Sequence, residues 1–190
     1  PQEFIDRLSR LRINQKLDFE LIGEAQPWIK NTTDSTWSGV SLPWMAYGYE
    51  LEMTALQILA FYNAVANNGT LVKPRLVDQV RSGQRLVQFK DVEVLKPSIC
   101  SDKTIDILQD LLERVVMSGT ASNIYSDKYS CAGKTGTTQI AKGGSYVTEY
   151  RPSFAGYFPS ENPRYSCIVL VTKPKKEIGF YGNVVAAPVF

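Results

Sequence analysis
Apolar residues recur three and four apart at Phe4, Ile5, Leu8 and Leu11 with arginines and acids between them, so residues 1 to about 12 are predicted to form an amphipathic helix. No Ser, Thr, Asp or Asn precedes Pro1 to cap it, and the natural chain is expected to continue upstream. From Asn14 to Trp44 the periodicity lapses into prolines, glycines, the run Asn31-Thr32-Thr33-Asp34 and three tryptophans. This reads as an ordered loop region with one short strand candidate, Leu17 to Ile22.

Regular patterning returns at Thr54-Ala55-Leu56-Gln57, a capping box. The segment it opens carries Leu56, Leu59, Phe61, Tyr62, Val65 and Ala66 around most of a helix, which is expected to be central and buried. Asn67-Asn68-Gly69 supplies a left-handed stop, and Lys73-Pro74 releases the chain into an extended segment. Leu76 to Val80 and Leu86 to Phe89 flank Ser82-Gly83 as an exposed hairpin. Ser101 caps a second long helix whose stripe is Ile105, Leu108, Leu111, Leu112, Val115 and Val116, with Gly119 ending it. Strands follow around Lys134, at Pro152 to Phe158 and at Tyr165 to Thr172, the last two joined by Pro159-Ser160-Glu161-Asn162-Pro163. The expected fold class is α+β: one antiparallel sheet with its faces covered by the preceding helices.

Composition limits the chemistry. The 190 residues are 44% apolar and 21% charged, enough for one globular domain or most of one. Net charge is +2 with both signs interspersed, so no basic stripe points to nucleic acid. Apolar runs are too short to span a bilayer, so any membrane anchor is expected outside this chain. Histidine is absent, which removes Ser-His-Asp and Cys-His arrangements and leaves a metal site only cysteines and carboxylates. Cys100, Cys131 and Cys167 are widely spaced, without a C-x-x-C pair, and read as buried thiols; no metal and no cofactor is expected.

The chemistry concentrates at Ser130-Cys131-Ala132-Gly133-Lys134-Thr135-Gly136-Thr137-Thr138-Gln139. On a strand, Thr135 and Thr137 share one face and Lys134 leans to the other. Gly136 has no Cβ, so a ligand strand can lie alongside and pair with the backbone while hydroxyls take an anionic end and the ammonium supplies positive potential. That describes a site for a peptide ending in a carboxylate. A phosphate-binding loop fails on spacing, because Lys128 stands where the motif needs glycine. A bare Lys-Thr-Gly also fits a solvated surface strand, and the surrounding sequence has to decide between the two.

Ala132-Gly133-Lys134-Thr135-Gly136-Thr137, preceded by Gly119-Thr120-Ala121 and followed by Ser153-Phe154-Ala155-Gly156-Tyr157-Phe158-Pro159, resembles the C-terminal part of penicillin-binding transpeptidases. Tyr47-Gly48-Tyr49-Glu50, Met53-Thr54-Ala55-Leu56-Gln57, Asn67-Asn68-Gly69, Lys73-Pro74, Tyr181-Gly182 and Ala186-Ala187-Pro188-Val189-Phe190 are similar to the class B, cell-division type. The resemblance spans nearly the whole chain. It implies the penicillin-binding/β-lactamase-like fold and a serine D,D-transpeptidase that cross-links peptidoglycan stem peptides at D-Ala-D-Ala and that β-lactams acylate. It further implies Lys134 as hydrogen-bonding partner of the active-site hydroxyls and the Thr137 amide as an oxyanion donor. Thr135, Gly136, Thr137 and Thr138 become the substrate-binding residues. An extracytoplasmic location at the inner membrane and other cell-division or cell-wall proteins as partners are implied as well.

The family's nucleophile motif S-x-x-K and its S-x-N motif, both expected upstream of Lys134, are absent there. Ser160-Glu161-Asn162 has the letters of the second but lies in a turn after the strand. Residues 1–190 are therefore expected to be the second half of a transpeptidase domain, incomplete at both ends, holding one wall of the cleft and no nucleophile. A β-lactam-hydrolysing or β-lactam-sensing relative, and a non-catalytic module of the same fold, are the alternatives.

Overall fold
The structure, a computed structural model, describes residues 1–142, 145–175 and 177–190. Helix α1 (Gln2–Arg10) starts without a side-chain cap and buries Ile5. The next stretch holds β1 (Trp28–Ile29), α2 (Ser41–Ala46) and β2 (Leu51–Glu52), with β1 and β2 pairing antiparallel. Helix α3 (Ala55–Ala66) opens on the expected capping box: the Thr54 side chain accepts from Gln57 N–H, and the Gln57 side chain accepts from Thr54 N–H. Asn68 and Gly69 end it with positive φ. Two small sheets follow, β3 (Leu71–Val72) with β6 (Val94–Lys96), and the exposed hairpin β4 (Gln79–Ser82) and β5 (Arg85–Phe89). Helix α4 (Asp102–Met117) is capped by Ser101, whose hydroxyl accepts from Thr104 N–H.

The main sheet has the order β7-β8-β9, all antiparallel: β7 (Ala132–Lys142), β8 (Ser145–Phe158) and β9 (Tyr165–Leu170). On one face Ala132 and Tyr157 enter a core with Leu17, Ala60, Ala64, Val65, Leu71, Ile99 and Ile105. On the other, Phe154 joins Val116, Ala121, Ala186 and Ala187. That second face is closed by α5 (Gly182–Val185), the turn at Ala187–Val189 and Phe190, whose ring meets Phe154 edge-on at 4.7 Å. The preceding helices thus reach both faces, α3 and Ile105 of α4 on the first and Val116 near the end of α4 on the second, and residues after the sheet complete the second cover.

Three expectations change. Leu17 to Ile22 is not a strand, because its backbone is held by a side chain: Glu24 accepts from Leu17 N–H at 2.8 Å and from Phe19 N–H at 3.3 Å. Leu111, placed on the apolar stripe of α4, is 53% exposed, while Ile105 and Val116 are buried. Strand β8 begins at Ser145, well before Pro152.

Glu24 ties this region to α3, taking a third hydrogen bond from Gln57 Nε2 at 2.9 Å. Burial pushes its carboxyl upward, but the donors Leu17, Gln57 and Phe19 outweigh burial and hold it below its ordinary value of 4.5. A depressed carboxyl stabilises fully above the unfolded value and loses that contribution as pH falls through the folded one. Glu24→Gln is expected to cost about 2 kcal/mol at neutral pH, the usual worth of hydrogen bonds to a charge. Urea melts should show this gap closing as pH drops from about 4.5 downward; a gap independent of pH would contradict the assignment.

Candidate active-site wall on the β7 edge
Strand β7 is the edge of the main sheet, and the register fixes which of its groups face outward. Val171 donates its N–H to Pro152 O at 3.0 Å, so Pro152 points its backbone toward the β9 side. Direction alternates along a strand, so Ser153 points toward β7 and its partner Gly136 points back toward β8. Thr135 and Thr137 therefore turn their N–H and C=O groups to the edge that no strand occupies among the described residues. The same alternation explains how Pro152 sits in a central strand: its missing N–H faces Val171, beyond the end of β9.

Side chains sort by the same parity. A Cβ built on Gly136 would lie 2.6 Å from Ser153 Oγ, so Lys134, Gly136 and Thr138 share a face with Ser153, and Thr135 and Thr137 occupy the other. Lys134 is exposed and curls over the edge, donating from Nζ to Thr135 O at 2.9 Å and Thr135 Oγ1 at 3.3 Å. Among the described residues no carboxylate pairs with it. Thr135 Oγ1 lies 3.1 Å from Thr120 Oγ1, and Thr137 Oγ1 accepts from Gly182 N–H at 3.2 Å. That last bond occupies a lone pair of Thr137 and leaves its O–H free to donate toward the edge.

Gly182 makes this bond because it has no side chain. A Cβ there would stand 2.4 Å from Ser153 O and 2.7 Å from Gly136 O. The first turn of α5 is thus pressed directly onto the backbone of the site strand. Thr120 and Gly182 lie in segments that the sequence singled out, but their support of Thr135 and Thr137 depends on contacts across 15 and 45 residues.

Ser160 is committed elsewhere, donating to Glu113 Oε1 at 2.6 Å, while Ser130 accepts from Ser160 N–H and donates to Glu161. These serines form a brace at the far end of β8, behind the start of β7. Beside it lies an open cavity of about 350 Å³ lined by Glu113, Met117, Tyr125, Lys128, Cys131 and Glu161 among others. Burial pushes the Cys131 thiol up, so at neutral pH it is a thiol and a poor nucleophile. The three cysteines are free and half-buried. No cluster of metal-ligating side chains occurs among the described residues, and no described helix is long and apolar enough to cross a membrane.

An open strand edge bearing paired hydroxyls, outward amides and a cation fits an extended peptide with a terminal carboxylate. The sequence model of the penicillin binding protein transpeptidase domain matches residues 1–190. The peptidoglycan D,D-transpeptidase FtsI homolog of Mesostigma viride is 30% identical over 175 residues, covering 85% of this chain and 29% of that protein. FtsI of Buchnera aphidicola is 30% identical over 190 residues, covering 99% and 32%. Penicillin-binding protein 3 of Mycobacterium tuberculosis, in a crystal structure complexed with ampicillin, superposes with a TM-score of 0.81 at 28% identity, covering 100% of this chain and 43% of that one. The chain thus spans about a third or less of the length of these curated relatives. With motif order, sheet topology and the geometry of the β7 edge in agreement, the chain belongs to the penicillin-binding protein transpeptidase domain family.

Proposed function
We infer that this chain forms the strand wall of a serine D,D-transpeptidase, one that cross-links peptidoglycan stem peptides ending in D-Ala-D-Ala and is acylated by β-lactams. The observation that carries this reading is the free β7 edge, where the Thr137 amide, the Thr135 and Thr137 hydroxyls and Lys134 converge. The terminal carboxylate of the donor sits on the two hydroxyls. The carbonyl of the penultimate residue then lies at the Thr137 N–H, which stabilises the developing oxyanion together with the nucleophile's own amide. Gly136 lets the donor approach the strand closely.

A serine from sequence outside these 190 residues attacks that carbonyl, giving its proton to a lysine of the same motif. The bond to the terminal D-Ala breaks and D-Ala leaves with a proton. An amine of a second stem peptide attacks the acyl-enzyme, forming the cross-link and freeing the serine. Lys134 holds positive potential beside the reacting hydroxyls throughout. Thr138, on the Lys134 face, borders the donor where it leaves the edge.

The relatives' names, peptidoglycan D,D-transpeptidase, support this reading over a β-lactam-hydrolysing or sensing relative. An extracytoplasmic place at the inner membrane, an anchor outside this chain and association with other division or cell-wall proteins belong to the same proposal. Intact-mass spectrometry after exposure to benzylpenicillin tests it. A penicilloyl adduct is expected on a serine of the protein extended upstream to include S-x-x-K, and none on residues 1–190 alone. No adduct on the extended protein would sink the transpeptidase reading, and a serine adduct on the 190 residues would sink the claim that they lack the nucleophile.

A further inference from the structure
Past Gly136, a second cation stands on the sheet face that carries Lys134. Arg151 is the register partner of Thr138, and parity puts it on the face shared by Lys134, Gly136 and Ser153. Thr138 and Arg151 are both exposed. No hydrogen bond or ion pair engages the Arg151 side chain among the described residues. Glu149, two residues along the same face, is held by Lys173 at 3.1 Å.

Directly opposed residues of an antiparallel pair have Cβ atoms about 5 Å apart, so an arginine side chain is long enough to extend across Thr138 to the outer edge of β7. The direction of the donor follows from the site. Its carboxylate lies at Thr135 and its scissile carbonyl at the Thr137 amide, so the residues before the scissile bond continue past Thr138 and under Arg151. A free guanidinium there presents a planar fork suited to a carboxylate.

We propose that Arg151 forms a second anion subsite, binding a carboxylate that the acyl donor carries upstream of its scissile bond and so favouring acidic stem peptides as donors. The inference rests on the transpeptidase reading. Lys134 binds near the reacting bond, whereas Arg151 reads the substrate away from it and acts on donor preference.

Two penicillins separate these roles, because carbenicillin is benzylpenicillin with one added carboxylate on the acyl side chain. In the full-length protein, Arg151→Glu is expected to lower the acylation rate constant of carbenicillin on the order of tenfold, the worth of one charge-assisted pair, and that of benzylpenicillin by less than about twofold. Arg151→Lys should retain part of the carbenicillin rate, and the difference between the two drugs should shrink as salt is raised. Equal losses for both penicillins, or no loss for either, would overturn the subsite while leaving the transpeptidase reading intact. A wild-type protein acylated by neither would remove that reading, and the subsite with it.

Discussion
Replacing Lys134 with alanine in the full-length protein is expected to slow acylation by benzylpenicillin by about 10²- to 10³-fold, the usual loss when one preorganised charge or donor is removed from a transition state. The expectation follows from the position of the ammonium. It lies within 3.3 Å of the Thr135 hydroxyl and beside the edge proposed to hold the oxyanion, and among the described residues it is not neutralised by an acid. Stability should hardly change, because the side chain is exposed and, among the described residues, bonds only to the neighbouring residue. Stopped-flow acylation alongside thermal melting separates the two effects. A fall in rate with an unchanged melting temperature supports the assignment, whereas a parallel fall in both would make Lys134 a structural residue.

The site was legible in the sequence to the extent that its chemistry is local. Lys134, Thr135, Gly136 and Thr137 are consecutive, and period-2 alternation alone assigns their faces, which the register with β8 reproduces. What supports them was not legible. Thr120 and Gly182 reach the two hydroxyls only because α4 and α5 bring distant segments against β7, and no periodicity encodes such a contact. Arg151 belongs to no motif in the sequence, and only its pairing with Thr138 puts it on the Lys134 face.

The fold divides in the same way. Helices α3 and α4 announce themselves because their caps are short-range devices, Thr54 with Gln57 and Ser101 with Thr104. The misses are segments whose structure is decided at a distance. Leu17 to Ile22 has strand-like residues, but the Glu24 carboxylate takes its amides first. Strands β1 and β2 are two residues each and exist through pairing across more than twenty positions. In α4 the stripe drawn at ideal helical spacing includes Leu111, yet the helix meets the sheet along a narrower line through Ile105 and Val116.

Gly156→Ala is expected to be among the most damaging single substitutions in the chain. Gly156 lies in the central strand, between Gly133 on β7 and Cys167 on β9. An added Cβ would stand 2.1 Å from Ala132 O and 2.7 Å from Gly133 Cα. Both are backbone atoms, so no rotamer relieves the clash and β7 must move off β8. Glycine-to-alanine changes ordinarily gain roughly 0.4–1 kcal/mol by restricting the unfolded chain, but overpacking against fixed backbone costs about 3 kcal/mol, so the steric effect wins. In a protein domain of this size that corresponds to a melting temperature lowered by about 6–12 °C. Acylation should fall as well, since the displaced strand carries Lys134 and the Thr137 amide. Gly39→Ala is the matched control: a Cβ there meets nothing within 4 Å, and the substitution should be neutral or slightly stabilising. Calorimetry of both variants decides the point, because equal shifts at Gly39 and Gly156 would show that the close approach of β7 to β8 does not set the stability of the site.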